Sequence, residues 1–432
     1  MKGKIKTMTN EEKHHKVFYG WYILAIGMVG AFMAAGTSQL FMSIMLKPLT
    51  QEFGWSRTAA TGAITTGTII SGILSLPIGK LADKYGPRAL TSLGALITAI
   101  AYIAFSKLVA LWQFYLIFII SRAISTNTLT NIVPRTAVVN WFFRFRGRAL
   151  GLLAMCPALG ASVLTIIAQL IMKNHGWRVV FAIFAIGMIV FQAIPSALIL
   201  RKRPEDFGLL PDGERKVAVS IISSTQVGAE EELNWTLRDA IRTSAIWLLS
   251  AATVVALAIN SGIGFHMAAY FTDVGIDSTI AVGAISVYAL TGAISNLIWG
   301  FMTERLPERL MAAAVMIISA GAILFLHFVT TAVDAYAFAV IFGLSSRGEG
   351  VLVNIILAQY YGRSSFGTIN GFVFPFSMIG LGFGPLISAF SFDLTGSYNT
   401  GFNIFIVASL IAATLLWIAK KPARAPLSNK LS

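Results

Sequence analysis

Charge is scarce in this chain. Of its 432 residues, 12% are Asp, Glu, Lys or Arg and 56% are apolar. A soluble domain carries roughly 25% charged residues, so a soluble multidomain enzyme, a disordered scaffold and a secreted disulfide protein are all excluded. Cysteine is nearly absent too, and the lone Cys156 leaves no internal disulfide to form. The Gly-x4-Gly-Lys-Ser/Thr phosphate loop of a primary pump is missing. So is any His cluster, paired-carboxylate site or nucleophile elbow within the apolar runs, so no enzyme, cofactor or metal is expected.

What the chain has instead is long apolar runs. They fall at Val17–Leu46, Thr58–Gly79, Ala89–Ser106, Leu108–Pro134, Ala149–Met172, Val179–Leu200, Ser244–Phe271, Ser278–Thr303, Leu310–Val333, Ala335–Gly362, Ser364–Phe392 and Leu394–Ala419. A membrane crossing needs about 20 apolar residues, and these runs are continuous rather than alternating, which indicates helices and not barrel strands. The first run is too long for a signal peptide and ends in no small-residue cleavage site, so it is read as the first membrane helix. Polar residues up to Asn403 interrupt the last run, which places the start of its helix near Tyr398. The expectation is an all-α membrane protein with twelve transmembrane helices, embedded multi-pass in the bilayer of the cell (inner) membrane.

The net charge of +14 would suggest nucleic acid in a soluble protein. Here most Lys and Arg fall in the segments on the N-terminal side of the bilayer, so the charge fixes both termini in the cytoplasm and no nucleic-acid partner is expected.

The longest polar stretch, Arg201–Arg242, contains Pro204, Gly208, Pro211, Gly213 and the acidic run Glu230–Glu232. It reads as a solvated linker. This divides the chain into a six-helix bundle (1–200), a cytoplasmic linker (201–243) and a second six-helix bundle (244–432). The segment Trp235–Ala240 is expected to form a short helix along the membrane surface.

The halves repeat. Gly79-Lys80-Leu81-Ala82-Asp83-Lys84-Tyr85-Gly86-Pro87-Arg88 follows the second run, and Gly300-Phe301-Met302-Thr303-Glu304-Arg305-Leu306-Pro307-Glu308-Arg309 follows the eighth. In both, glycine, an acid and arginine keep the same spacing: Gly79, Asp83, Arg88 and Gly300, Glu304, Arg309. Glycine allows close packing, the acid caps a helix N-terminus, and arginine pairs with an acid or a headgroup. On these residues the chain resembles the major facilitator superfamily of secondary transporters. The first copy is similar to that family's loop between helices two and three. The second is degraded, with Glu304 and Pro307 in place of Asp and Gly, and weaker contacts between the halves are expected there.

Within the superfamily the chain is most similar to the bacterial monocarboxylate porter and oxalate–formate antiporter group. The matching residues are Lys47-Pro48-Leu49 and Glu52-Phe53-Gly54-Trp55-Ser56-Arg57, then Trp141-Phe142 and Arg146–Gly151, then His266, Tyr270 and Asp273-Val274-Gly275. The resemblance implies two six-helix bundles that rock about a central cavity holding the substrate at the repeat interface. It also marks a departure: aligned on Trp299-Gly300, the carboxylate-transporting relatives carry an arginine where this chain has Asn296.

Three charges lie well inside the runs: Arg122, Arg347 and Glu349. Burying a charge at a helix centre costs about 2.5–3.5 kcal/mol on an insertion scale, so each is a functional candidate. Arg122 in the fourth run and Arg347 in the tenth share a Ser-Arg-small pattern. Each guanidinium either grips a substrate carboxylate bidentately or ties helices together. Glu349 either carries a proton or forms a fixed ion pair; residues i and i+2 point apart on a helix, so Arg347 is not its automatic partner. Gln39, Asn127, Asn296 and Asn354 are further candidates for substrate contact, with interhelical bonding as the alternative. His266 joins both the substrate and the proton candidates through the family's His…Asp-x-Gly pattern.

The leading expectation is a monomeric secondary transporter for a small organic acid, proton-coupled or exchanging a counter-anion. An exporter of amphipathic compounds and a non-transporting membrane receptor are the alternatives.

Overall fold

The computed structural model describes residues 18–55, 57–213 and 235–422. Among them, twelve helices are long and apolar enough to cross a membrane. They are α1 Gly20–Thr37, α2 Gly62–Tyr85, α3 Pro87–Ser106, α4 Leu111–Trp141, α5 Arg146–His175, α6 Trp177–Ile199, α7 Ser244–Asp273, α8 Gly283–Met302, α9 Glu308–Leu326, α10 Ala332–Tyr361, α11 Phe366–Thr395 and α12 Asn399–Ile418. Six precede the polar segment and six follow it. Their outward faces carry exposed Ile73, Leu170, Phe191, Phe265 and Phe383, apolar side chains suited to lipid.

Three spans differ from the apolar runs for local reasons. The first run divides: α1 tightens into a 3-10 turn at Ala34–Thr37, Ser38 turns extended with ψ 158°, and a separate helix follows at Gln39–Phe53. The fourth continues past Pro134 to Trp141. A π turn at Thr126–Thr130 breaks the hydrogen-bond ladder there, and Pro134 falls in the first turn of the restarted helix Ile132–Trp141, where a proline N–H is not needed. The tenth breaks at Arg347, between helical pieces Ala332–Ser346 and Gly348–Tyr361. The last helix starts at Asn399, with Tyr398 as its N-cap.

The short helix between the halves is present at Leu237–Ile241, where Thr236 accepts from the Asp239 backbone N–H. Asp212, on the near side, takes the backbone N–H groups of Phe143 and Arg144 at 3.1 and 2.5 Å, fastening the start of the linker to the α4–α5 turn.

The halves meet along two seams, α2 against α11 and α5 against α8. The contact is backbone-close at the loop-motif end. A Cβ on Gly79 would lie 2.1 Å from the Gly367 carbonyl oxygen, and one on Gly147 would lie 2.2 Å from that of Gly300. At the other ends of α2 and α8, Gly62 and Gly283 instead neighbour Tyr115 and Tyr336 of their own halves. Among these described glycines, the backbone-close contact between the halves lies at the loop-motif end.

Candidate functional site: a charged cavity at the seam

The loop motifs hold that closed end. Asp83 accepts hydrogen bonds from the backbone N–H groups of Gly367 and Thr368 (3.0 and 2.7 Å) and from Thr368 Oγ1 (2.6 Å), capping the start of α11 in the opposite half. Gly86 takes a φ of 78° and lets the chain turn into α3, and Arg88 donates to the Ala197 carbonyl. In the second copy, Gly300 packs on Gly147 while Glu304 pairs with Arg148 at 2.5 Å. The degraded copy thus also bridges the halves, with an ion pair where the first copy has a helix cap. Arg309 lies in the first turn of α9. Arg363 adds a third link, bonding Glu205 and the Asn140 carbonyl.

Above this end lies a cavity of about 260 Å³ between the halves. The first half contributes Thr68 and Ser71 from α2 and Arg122, Thr126, Asn131 and Arg135 from α4. The second contributes Thr253 from α7, Glu349 and Asn354 from α10, and Asn370 and Phe374 from α11. Arg122 donates to the Thr37 carbonyl at 3.3 Å, which aims it from the α1 break, where Thr37 and Ser125 hydroxyls also meet at 2.8 Å. Glu349 is 1% exposed and accepts from Thr253 Oγ1 at 2.9 Å. Arg135 has neither a hydrogen bond nor an ion pair among the described residues, and it is the cation whose charge reaches Glu349. No ion pair within 4 Å joins Glu349 to any cation among the described residues.

The sequence-derived candidates separate accordingly. Arg122, Glu349 and Asn354 line the cavity. Arg347 sits exposed at the α10 break, its guanidinium 5.5 Å from the Tyr288 ring centre and its stem beside Gly292, and is not part of the cavity wall. Asn127 is fully buried, and its amide donates to the Ser71 and Ala123 carbonyls, tying α4 to α2. Asn296 bonds the Gly292 carbonyl of its own helix at 3.1 Å. His266 spans Tyr398 and the Pro385 carbonyl at 3.3 and 3.1 Å, joining α7 to the α11–α12 region away from the cavity. The side chain of Gln39 lies outside the described residues. Arg135 is the cavity charge that the sequence reading passed over, because the fourth run was ended at Pro134. The length of α4, 31 residues through a proline, is the signal that points to it.

Such a cavity suits a small anion: guanidinium groups fit carboxylate oxygens in pairs, and the wall is otherwise apolar with a few placed amides and hydroxyls. Comparison with known proteins places it in a lineage. The Major Facilitator Superfamily profile matches residues 27–373 and 249–431. The membrane sensor protein UhpC of Escherichia coli is 25% identical over 363 residues, covering 81% of this chain and 80% of that one. A probable L-galactonate transporter of E. coli is 25% identical over 410 residues, covering 89% and 86%. The crystal structure of the human organic anion transporter MFSD10 superposes with a TM-score of 0.69 at 14% identity, covering 92% of this chain and 99% of that one. The chain is a multi-pass membrane protein of the transporter type rather than an enzyme, and it belongs to the major facilitator superfamily.

Proposed function

We propose that the protein is a secondary active transporter that moves a small organic anion, a monocarboxylate or related carboxylate, by alternating access and in symport with protons. The observation that carries this reading is the unpaired charge in one shared cavity, lined by Arg122 and Arg135 from the first half and Glu349 from the second. The substrate carboxylate binds the Arg135 guanidinium. A negative charge on Glu349 opposes that binding, so a proton on Glu349 and an anion on Arg135 favour one another, and the coupling is reciprocal. Substrate and proton then move together.

Residues 1–200 and 244–432 are the two rocking units and 201–243 their tether. The Lys and Arg distribution puts both termini in the cytoplasm, in the inner membrane of the cell. The closed end is then the cytoplasmic one, and the cavity faces outward. In this account Asn354 contacts substrate, whereas Asn127 and His266 hold helices together and Asn296 bonds within its own helix. Arg347 anchors α10 on Tyr288. The likeness to a transporter named for L-galactonate, itself a carboxylate, and to an organic anion transporter supports the anionic substrate, as do the motifs of the monocarboxylate porter group.

The likeness to a membrane sensor favours a second reading, a receptor with no turnover. One experiment addresses both. Purified protein in liposomes is given labelled lactate, oxalate, formate and aromatic acids, with and without a pH gradient. Accumulation of at least one acid, lost in Arg135→Gln, supports the carboxylate transporter. Binding without uptake or exchange supports the receptor, and no binding or uptake of any acid overturns the carboxylate reading.

A further inference from the structure

Coupling through Glu349 uses Arg135 and leaves the other cavity cation, Arg122, without a task. The two lie thirteen residues apart on α4, about 20 Å at 1.5 Å of rise per residue, so one small carboxylate cannot touch both. Trp141, where α4 ends, is at the loop-motif end, because α5 follows directly and packs its Gly147 on Gly300 there. Arg135 is therefore the deeper cation, and Arg122 lies nearer the opposite end.

Arg122 has donors to spare. A guanidinium carries five N–H donors, and the one bond Arg122 makes among the described residues runs from Nη1 to the Thr37 carbonyl at 3.3 Å. Its Nε–Nη2 edge, which can meet both oxygens of a carboxylate side-on, stays free. Arg122 is half-buried and lines the cavity, and none of its nitrogens is among the buried unpartnered atoms, so the free edge keeps solvent contact. The walls around the two cations also differ. Glu349, the only acid among the described residues that line the cavity, lies where the Arg135 charge reaches it. Arg122 instead lies beside Gly67 of α2. Deeper on α2, Gly72 packs on Met378 of α11, and farther from the loop-motif end Gly384 of α11 packs on Ala258 of α7. The second half therefore meets the Arg122 level with Leu381 and Leu257. An anion on Arg122 faces an uncharged wall, whereas one on Arg135 shares its space with Glu349.

We propose that Arg122 forms a second anion site, farther from the loop-motif end than Arg135, where an incoming carboxylate binds before it passes to Arg135, so that the cavity holds two small carboxylates at once. This rests on the carboxylate reading above and adds a station to it. The cavity of about 260 Å³ has room for two acids of a few heavy atoms each. At a separation of about 20 Å two negative charges in a solvated cavity repel weakly, so both sites fill together. The Thr37 carbonyl holds Nη1 and so fixes the edge that receives the anion. Only the deeper site is linked to the proton on Glu349, and binding at Arg122 alone moves nothing across the membrane.

Equilibrium dialysis of the purified protein in detergent against labelled lactate, oxalate, formate or benzoate counts the acid bound at saturation. For an acid that proteoliposomes accumulate, the parent should bind two per chain. Arg135→Gln, although it no longer accumulates acid, should still bind one. Arg122→Gln should also bind one, and Arg122→Lys, which keeps the cation, should bind two. Thermal unfolding in detergent checks that each variant is folded, and the parent and Arg135→Gln decide the matter even where Arg122→Gln does not fold. Saturation at one per chain in the parent overturns the proposal while leaving the carboxylate transporter intact. So does loss of all binding in folded Arg135→Gln, or two bound in folded Arg122→Gln. If no acid is bound or moved at all, the carboxylate reading fails first and this one with it.

Discussion

Asp83 in the first half caps the N-terminus of α11 in the second half through Thr368, accepting its backbone N–H at 2.7 Å and its hydroxyl at 2.6 Å. Its repeat counterpart Glu304 makes an ion pair with Arg148 at the start of α5. One loop acid in each half thus grips the other half, and the grip must break for the cavity to open at this end.

Asp83→Asn keeps the shape but removes the charge from three hydrogen bonds. Charge-assisted bonds contribute about 1.5–3 kcal/mol each, so the closed end should lose much of its advantage. Spin labels at exposed Lys84 and Arg305, in protein lacking Cys156, should show a longer-distance population in Asp83→Asn than in the parent. An unchanged distance distribution would mean that the cap does not set this equilibrium.

The Arg148–Glu304 pair is a weaker lock. Its side chains are 40% and 16% exposed, and water and salt screen such a pair to about 0.2–1 kcal/mol. A double-mutant cycle with Arg148→Ala and Glu304→Ala should return a coupling in that range. The cap at Asp83 should therefore dominate, despite the shorter ion-pair distance on the other seam.

Steric fit is a separate contribution. Gly79→Ala would place a Cβ 2.1 Å from a backbone oxygen across the seam, and overpacking of that kind costs about 1–3 kcal/mol. The variant should melt earlier in detergent and lose the short-distance population. Gly382→Ala, whose Cβ meets nothing within 4 Å, serves as the control and should do neither.

At the opposite end, Glu52 accepts from Trp177 Nε1 at 2.7 Å and Arg178 at 2.6 Å, clamping the Gln39–Phe53 helix to α6. These bonds, Trp177 first, hold its carboxyl below the ordinary value of 4.5. A depressed carboxyl stabilises the fold above its unfolded pKa, and that contribution disappears as pH falls through the folded value. Glu52→Gln should therefore be less stable than the parent at pH 7 and converge with it in acid below 4.5. The difference will be small because the group is exposed.

The sequence carried the fold almost entirely, since twelve continuous apolar runs leave few alternatives and the two loop motifs give the repeat. It carried the site only in part. Arg122 and Glu349 stood out because charge is rare in these helices. Arg135 was hidden because Pro134 usually ends a helix, and the π turn that rescues it is a backbone feature with no side-chain signature. Arg347 was placed by analogy with Arg122, but the break at its own position turns it onto Tyr288. Asn127 shows the limit of composition: an amide donating to two carbonyls looks in sequence like one lining a cavity.

The central claim is that Arg135 and Glu349, facing each other from opposite halves, couple an anion to a proton. The most direct test is accumulation of a transported acid in proteoliposomes under an imposed inward pH gradient, alongside counterflow exchange with no gradient. The account predicts that Glu349→Gln abolishes gradient-driven accumulation and retains exchange, whereas Arg135→Gln loses both. Accumulation that survives in Glu349→Gln at the parent level would contradict it.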